Sequence, residues 1–178
     1  MPVCVDLSEL LHTPGHAIPY DVSVPCGPEL ELPCTSPVEG HVTFTNTGNV
    51  LVVMGRVTTT LRLSCGRCLE PVDVDLDVPV EEEFIVAHGE ITDLADGDTG
   101  FAEPALQALI KGNLLNVTEL VRQAIVLEEP GEIVCRDDCK GLCPHCGRNL
   151  NEGTCSCVPD DDSPFSALAQ LQKQMTDN

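Results

Sequence analysis

A run of cysteines limits what this chain can become. Residues 135–157 read Cys-Arg-Asp-Asp-Cys-Lys-Gly-Leu-Cys-Pro-His-Cys-Gly-Arg-Asn-Leu-Asn-Glu-Gly-Thr-Cys-Ser-Cys, six cysteines in 23 positions. A stretch so poor in apolar side chains cannot bury enough surface to offset the entropy of ordering itself. Something other than a hydrophobic core must hold it. The 178 residues carry 11 cysteines in all. That number is odd, several cysteines recur as Cys-x-x-Cys, and Met1 to Leu11 lacks the basic start and apolar stretch of an export signal. These features point to metal or thiol chemistry in an intracellular protein before a disulfide framework.

Zinc suits such a run. It takes four soft ligands in a tetrahedron, with sulfur about 2.3 Å from the ion. Cys143-Pro144-His145-Cys146-Gly147 supplies half a site: two intervening residues let both sulfurs point inward, Pro144 stiffens the turn, and Gly147 permits a positive φ at its exit. Two pairs could complete it. Cys155 and Cys157 fall on one face of an extended segment, and Cys135 and Cys139 lie one turn apart if that segment coils. One zinc takes four of these six. Alternatively, Cys65 and Cys68 join the surplus pair to give eight ligands and two zincs; the single ion is the first expectation. Zinc binding supplies roughly 10–16 kcal/mol in comparable peptides, enough to fold the stretch. Cys4, Cys26 and Cys34 are isolated and read as small, partly buried hydrophobes.

Charge narrows the partners. With 29 acids against 9 bases the formal net charge is −20, a poor basis for gripping nucleic acid through its phosphates. The density is highest over residues 61–100, with eleven acids and two bases. There Val72-Asp73-Val74-Asp75-Leu76-Asp77-Val78 alternates with period two, a strand with one apolar and one carboxylate face. That face is either simply solvated, a surface for a basic partner, or an adaptation to high salt. Five of the nine bases, Arg62, Arg67, Arg136, Lys140 and Arg148, lie in or near the paired cysteines. They offset thiolate charge there; in a sharper reading Arg67, Arg136, Lys140 and Arg148 form a small basic patch that touches RNA phosphate.

The rest of the chain predicts an α+β fold, mainly antiparallel strands with a few short helices and a C-terminal cysteine-rich zinc-binding subregion. Aromatic residues make up only 3 %, so Val, Leu and Ile must fill the core. Residues 1–37 suggest short extended stretches, with a strand over Ile18–Val24. The runs 38–45 and 50–64 are β-branched and joined at Gly48-Asn49, a turn signal. The second leads into Cys65-Gly66-Arg67-Cys68, a hairpin tip, and then the acidic strand, which Pro79 is expected to interrupt. Residues 87–104 read as an exposed loop and 106–115 as extended. A helix over about 118–127 is expected, with Thr118 as N-cap, and a second over 164–173 beyond the linker Asp160-Asp161-Asp162. The expected organisation is a body over 1–130, a metal-binding subregion over 131–158, and a linker with terminal helix over 159–178. No run of about eighteen apolar residues offers a membrane span.

Catalysis has one serious candidate. Cys65-Gly66-Arg67-Cys68 and Cys143-Pro144-His145-Cys146 have the spacing of a thiol-disulfide oxidoreductase or redox sensor. That chemistry wants the first cysteine at a helix N-terminus after a strand, and no helical pattern follows either pair. No Gly-x-Ser-x-Gly, metalloprotease helix or phosphate-cradling Gly-Lys-Ser/Thr motif occurs, so no small-molecule substrate is expected.

Four stretches, in order, carry a resemblance: Cys65-Gly-Arg-Cys68-Leu-Glu-Pro-Val, Thr118-Glu-Leu-Val-Arg-Gln-Ala-Ile, the block from Cys135 through Cys143-Pro-His-Cys146-Gly-Arg-Asn-Leu-Asn, and a terminal Ser-Pro-Phe-Ser-Ala-Leu. Together they resemble the bacterial YceD family, the large ribosomal RNA subunit accumulation proteins. The resemblance implies a non-enzymatic, cytoplasmic role in large-subunit rRNA accumulation and large-subunit assembly. Within that role the acidic body is expected to attract a basic ribosomal protein and the Arg-bearing cysteine regions to touch precursor large-subunit rRNA, so the expected partners are either or both. Cys65 and Cys68 correspond to the family's hairpin pair and Cys135–Cys157 to a metal-binding tail that some relatives lack. The region around Phe165–Leu168 is less basic than the family's terminal helix, which argues against RNA contact there.

Overall fold

Period-two alternation of β-branched residues builds the larger of the two sheets. The structure, a computed structural model, describes residues 2–92 and 108–157. The elements are β1 (Cys4–Asp6), α1 (Ser8–Leu11), β2 (Ala17–Val24), β3 (Val38–Asn46), β4 (Val50–Ser64), β5 (Pro71–Ala87), β6 (Glu90–Thr92), β7 (Ile110–Lys111), β8 (Leu114–Asn116) and α2 (Val117–Glu128). β2 to β6 form one antiparallel sheet in sequential order, and β1, β8 and β7 form a small second sheet. The fold is thus α+β and mainly antiparallel, as the patterning implied. Among the described residues no helix is long and apolar enough to cross a membrane.

The chain divides into two compact units. One takes Met1–Ser64 and Pro71–Ile133, the other Cys65–Glu70 and Val134–Asn178, so far as they are described. In the first, one face of the large sheet is dry: Val42, Phe44, Leu51, Val53, Val57, Leu61, Val78 and Val80 are all fully buried. Helix α2 packs against β5 and α1 against β3 and β6. Leu120, Val121 and Ile125 of α2, spaced for one helical face, enter the same core as Leu10 and Leu11 of α1.

The opposite face of β5 is wet. Asp73, Asp75 and Asp77 are exposed and meet partners on β4: the Arg62 guanidinium grips Asp73 at 2.8 and 2.9 Å, Thr60 donates to Asp75 at 2.8 Å, and Arg56 to Asp77 at 3.0 Å. The two arginines hold Asp73 and Asp77 below the ordinary carboxylate range. Such exposed pairs contribute little stability individually.

The structure departs from the sequence reading at several points. Pro79 does not interrupt the acidic strand: β5 runs unbroken from Pro71 to Ala87 and pairs Pro79 with Arg56. β6 meets β5 only at Ile85–Ala87, so Pro79 lies where β5 has β4 as its one neighbour, a position that tolerates a missing N–H. The N-cap of α2 is Asn116, whose side chain accepts from the Glu119 N–H at 3.2 Å. Thr118 is instead buried, and its hydroxyl accepts from the Val3 N–H at 2.9 Å. Cys26 and Cys34 are joined by a disulfide, their Cα atoms 5.8 Å apart, closing the loop between β2 and β3 that sends Leu30 into the core. Neither α1 nor the short β5–β6 hairpin was expected. Residues 110–116 form a two-stranded turn, not one extended piece. The expected helix over 164–173, the acidic linker and residues 93–104 of the expected loop lie outside the described residues.

Asn46 ties this unit together at a point no motif marks. Fully buried, its side-chain amide donates to the Leu10 and Leu11 carbonyls at 2.8 and 3.0 Å, and its oxygen accepts from Gly48 N–H at 2.8 Å. It therefore caps α1 and closes the β3–β4 turn at once. Asn46→Leu keeps the branched shape but strands the Leu11 carbonyl and the Gly48 N–H; the Leu10 carbonyl still accepts from the Thr13 N–H at 3.0 Å. We expect it to lower the unfolding free energy by about 2–4 kcal/mol in urea titration.

Candidate metal centre

The two Cys-x-x-Cys segments fold alike. In Cys65–Glu70 the Cys65 N–H donates to the Glu70 carbonyl at 2.8 Å and the Leu69 N–H to the Cys65 carbonyl at 2.9 Å. In Cys143–Arg148 the Cys143 N–H donates to Arg148 at 2.8 Å and the Gly147 N–H to Cys143 at 2.9 Å. Each turn exits through a left-handed residue, Leu69 at φ 63° and Gly147 at φ 71°. The resulting knuckle aims backbone N–H groups at its first sulfur. The N–H of Cys68, with those of Arg67 and Cys135, draws the Cys65 thiol down to about 6; the N–H of Cys146, then that of His145, does the same for Cys143.

Around the knuckles, eight cysteines gather into two groups of four. One contains Cys65, Cys68, Cys135 and Cys139, the other Cys143, Cys146, Cys155 and Cys157, with the sulfurs of each group within 4.8 Å of one another. Both belong to the second unit. In the first group Sγ of Cys65 lies 3.9 Å from that of Cys139, and Sγ of Cys68 lies 3.6 Å from that of Cys135. A tetrahedron with 2.3 Å metal–sulfur bonds has edges of about 3.8 Å, whereas a disulfide brings its sulfurs to about 2.05 Å. The spacing fits an ion at the centre and does not fit covalent pairing.

Protonation behaviour agrees. Burial, then the neighbouring thiol of Cys68, pushes Cys135 up to about 12. In the second group the Cys146 thiol, then burial, pushes Cys157 up to about 12. Sulfurs this close cannot all ionise by themselves, because each thiolate raises its neighbours. A divalent cation removes that conflict and takes all four as thiolates. Both groups could hold a metal ion.

The sequence left open which pairs combine. Cys155 and Cys157 partner the Cys143–Cys146 knuckle, and Cys135 and Cys139 partner the hairpin tip. Sequence reasoning missed the supports. Asn151 donates to Cys139 Sγ at 3.4 Å, which lowers that thiol, and its oxygen accepts from Lys140 N–H at 2.9 Å. Gly141, at φ 71°, leaves room for the Arg67 carbonyl, which a Cβ would approach to 3.0 Å; the next N–H, of Leu142, donates to that carbonyl at 3.0 Å. The only hint was the repeated Asn in Asn149-Leu150-Asn151.

The basic residues singled out as RNA contacts are engaged locally. Arg67 donates to the Asp137 and Cys139 carbonyls at 3.5 and 3.3 Å, and Arg148 to the Thr154 carbonyl at 3.3 Å. Arg136 pairs with Asp138 at 3.3 Å. Lys140 follows Cys139 and is exposed. Cys4 is a free, exposed thiol outside both groups.

Comparison with known proteins gives a consistent picture. The family model described as "Large ribosomal RNA subunit accumulation protein YceD" matches residues 53–172. Two plant proteins named "Large ribosomal RNA subunit accumulation protein YCED homolog 1, chloroplastic" are similar. The Arabidopsis thaliana protein is 27 % identical over 165 residues, 82 % of this chain and 51 % of that protein. The Zea mays protein is 29 % identical over 159 residues, 78 % of this chain and 54 % of that protein. An uncharacterized protein of Mycobacterium leprae is 25 % identical over 154 residues, 84 % of this chain and 68 % of that protein. The chain thus spans about half the length of its plant relatives. No solved structure matches it.

Leu69 is 63 % exposed, so its left-handed conformation is not compensated by buried area. Leu69→Gly is expected to raise the stability of the metal-loaded protein by about 0.5–1 kcal/mol in thermal melting. Asn151→Ala removes a donor to a candidate ligand and is expected to weaken metal affinity about 10- to 100-fold in chelator competition.

Proposed function

The chain belongs to the YceD family of large ribosomal RNA subunit accumulation proteins, and from that premise we propose that it is a non-enzymatic, cytoplasmic factor supporting large-subunit rRNA accumulation and large-subunit assembly. The observation that carries this reading is the family match over residues 53–172, which takes in the hairpin tip, helix α2 and the whole cysteine block. Zinc is the proposed resident ion, held by four cysteines drawn from those identified above. Its role is structural: it orders a segment that has no core of its own, and four thiolates leave no open coordination position for a reacting water.

The proposed partner is a basic ribosomal protein, with direct contact to precursor rRNA as the secondary mode. Net charge −20 favours the protein partner. So does the cysteine unit: Arg67, Arg136, Lys140 and Arg148 are balanced by Glu70, Asp137, Asp138 and Glu152, and a four-thiolate zinc adds a further charge of −2. The thiol-oxidoreductase alternative has less support, since Cys65 and Cys143 sit in turns ringed by three further sulfurs rather than at helix N-termini.

Depletion of the protein is expected to reduce mature large subunits and their rRNA relative to small subunits in sedimentation profiles. An unchanged profile would contradict the assignment. Purified protein is expected to capture basic large-subunit proteins, with affinity falling roughly tenfold between about 50 and 300 mM salt. Tight, salt-resistant binding to bare RNA would contradict the proposed partner. Cys-x-x-Cys thiols that react only after chelation support the zinc reading; a Cys-x-x-Cys thiol reactive in metal-free native protein supports the oxidoreductase, and exposed Cys4 reacts in either case.

A further inference from the structure

The two groups of four differ in a way the family assignment does not address. In the group of Cys65, Cys68, Cys135 and Cys139, three members are buried, Cys65 completely and Cys68 and Cys139 at 4 and 6 % exposure. Its ligands come from segments 67 to 74 residues apart in sequence. Supports converge on it from several directions: the N–H groups of Arg67 and Cys135 each donate to Cys65 Sγ at 3.4 Å, the Asn151 amide reaches Cys139 Sγ, and the Arg67 guanidinium bridges the Asp137 and Cys139 carbonyls. Opening this group requires the concerted loss of those bonds.

In the other group only Cys143 is buried. Cys146 is exposed and Cys155 half-buried. All four ligands lie within 15 residues of one another in sequence. The returning segment that carries Cys155 and Cys157 has no regular secondary structure; the Arg148 side chain holds it through the Thr154 carbonyl at 3.3 Å. A short excursion of that segment withdraws two of the four sulfurs together. Local opening of this kind sets how fast a competing ligand reaches a bound ion.

We infer that the chain holds two zinc ions at once, one in each four-cysteine group, and that they are unequal: the ion among Cys65, Cys68, Cys135 and Cys139 is fixed, and the ion among Cys143, Cys146, Cys155 and Cys157 is exchangeable. The inference rests on the zinc reading above and deepens it. Each ion is bound by displacing protons from the thiols not already ionised, with no change in sulfur oxidation state, and its release returns those protons. The exchangeable site can therefore lose and regain its ion while the rest of the cysteine unit keeps its shape.

Native mass spectrometry of the full chain, purified without added metal under reducing conditions, counts the ions. Release into excess 4-(2-pyridylazo)resorcinol times them. Two zincs leaving in two phases, at least tenfold apart in rate, is the expected result. The Cys155→Ser/Cys157→Ser chain should hold one zinc that leaves in the slow phase. The Cys68→Ser/Cys135→Ser chain should lose the slow phase. As a check that does not depend on either variant folding, iodoacetamide labelling of the unsubstituted protein, stopped after the fast phase, should mark Cys143, Cys146, Cys155 and Cys157 and spare the other group. One zinc per chain, a single release phase, or labelling spread over both groups would overturn the inference while leaving the zinc reading intact. A chain with no zinc would overturn both.

Discussion

Mutual repulsion of sulfur is the constraint on which the cysteine unit depends. Four sulfurs within 4.8 Å cannot all ionise unless a cation lies among them. The unit contains few alternatives that could keep them together. Its described backbone has turns, one isolated bridge between Leu142 and Asn149, and no helix. With metal bound as proposed, its stability is metal-ligand stability, whereas the other unit is held by an ordinary hydrophobic core of Val, Leu and Phe between sheet and helices. The loop that joins β4 to β5 contributes Cys65 and Cys68 to the cysteine unit.

Each unit distributes its charge in its own way. The wet face of β5 presents carboxylates that Arg56, Thr60 and Arg62 only partly satisfy. The cysteine unit has bases, but its own carbonyls and Asp138 take up Arg67, Arg136 and Arg148. Those arginines hold the turns around the sulfurs and soften the charge of the site. A body with little free positive charge is suited to meeting a cationic protein surface and poorly suited to gripping a phosphate backbone.

Much of this was legible in the sequence, for identifiable reasons. β4 could be read whole from Val50 to Ser64, because one face of it is buried and alternation records that directly. Helix α2 was visible from the spacing of Leu120, Val121 and Ile125. Its cap was misread because Asn116 and Thr118 both carry capping oxygens, and only the tertiary contact of Thr118 with Val3 decides between them. Pro79 misled because its effect depends on where β6 ends, which no local pattern encodes. The Cys26–Cys34 disulfide and the partner of the hairpin tip share one cause: both rest on closeness between segments that carry no common motif. Spacing identified the knuckles; only the fold could say that Cys135 and Cys139 belong with Cys65 and Cys68.

One measurement reaches the centre of this account. X-ray absorption at the zinc edge, taken on native protein without added metal, reads the ligand atoms directly. Zinc held by cysteines alone gives a single shell of four sulfurs at about 2.3 Å, with no nitrogen or oxygen scatterer. A shell containing nitrogen or oxygen, or a protein without zinc whose sulfurs are bridged in pairs, would contradict it.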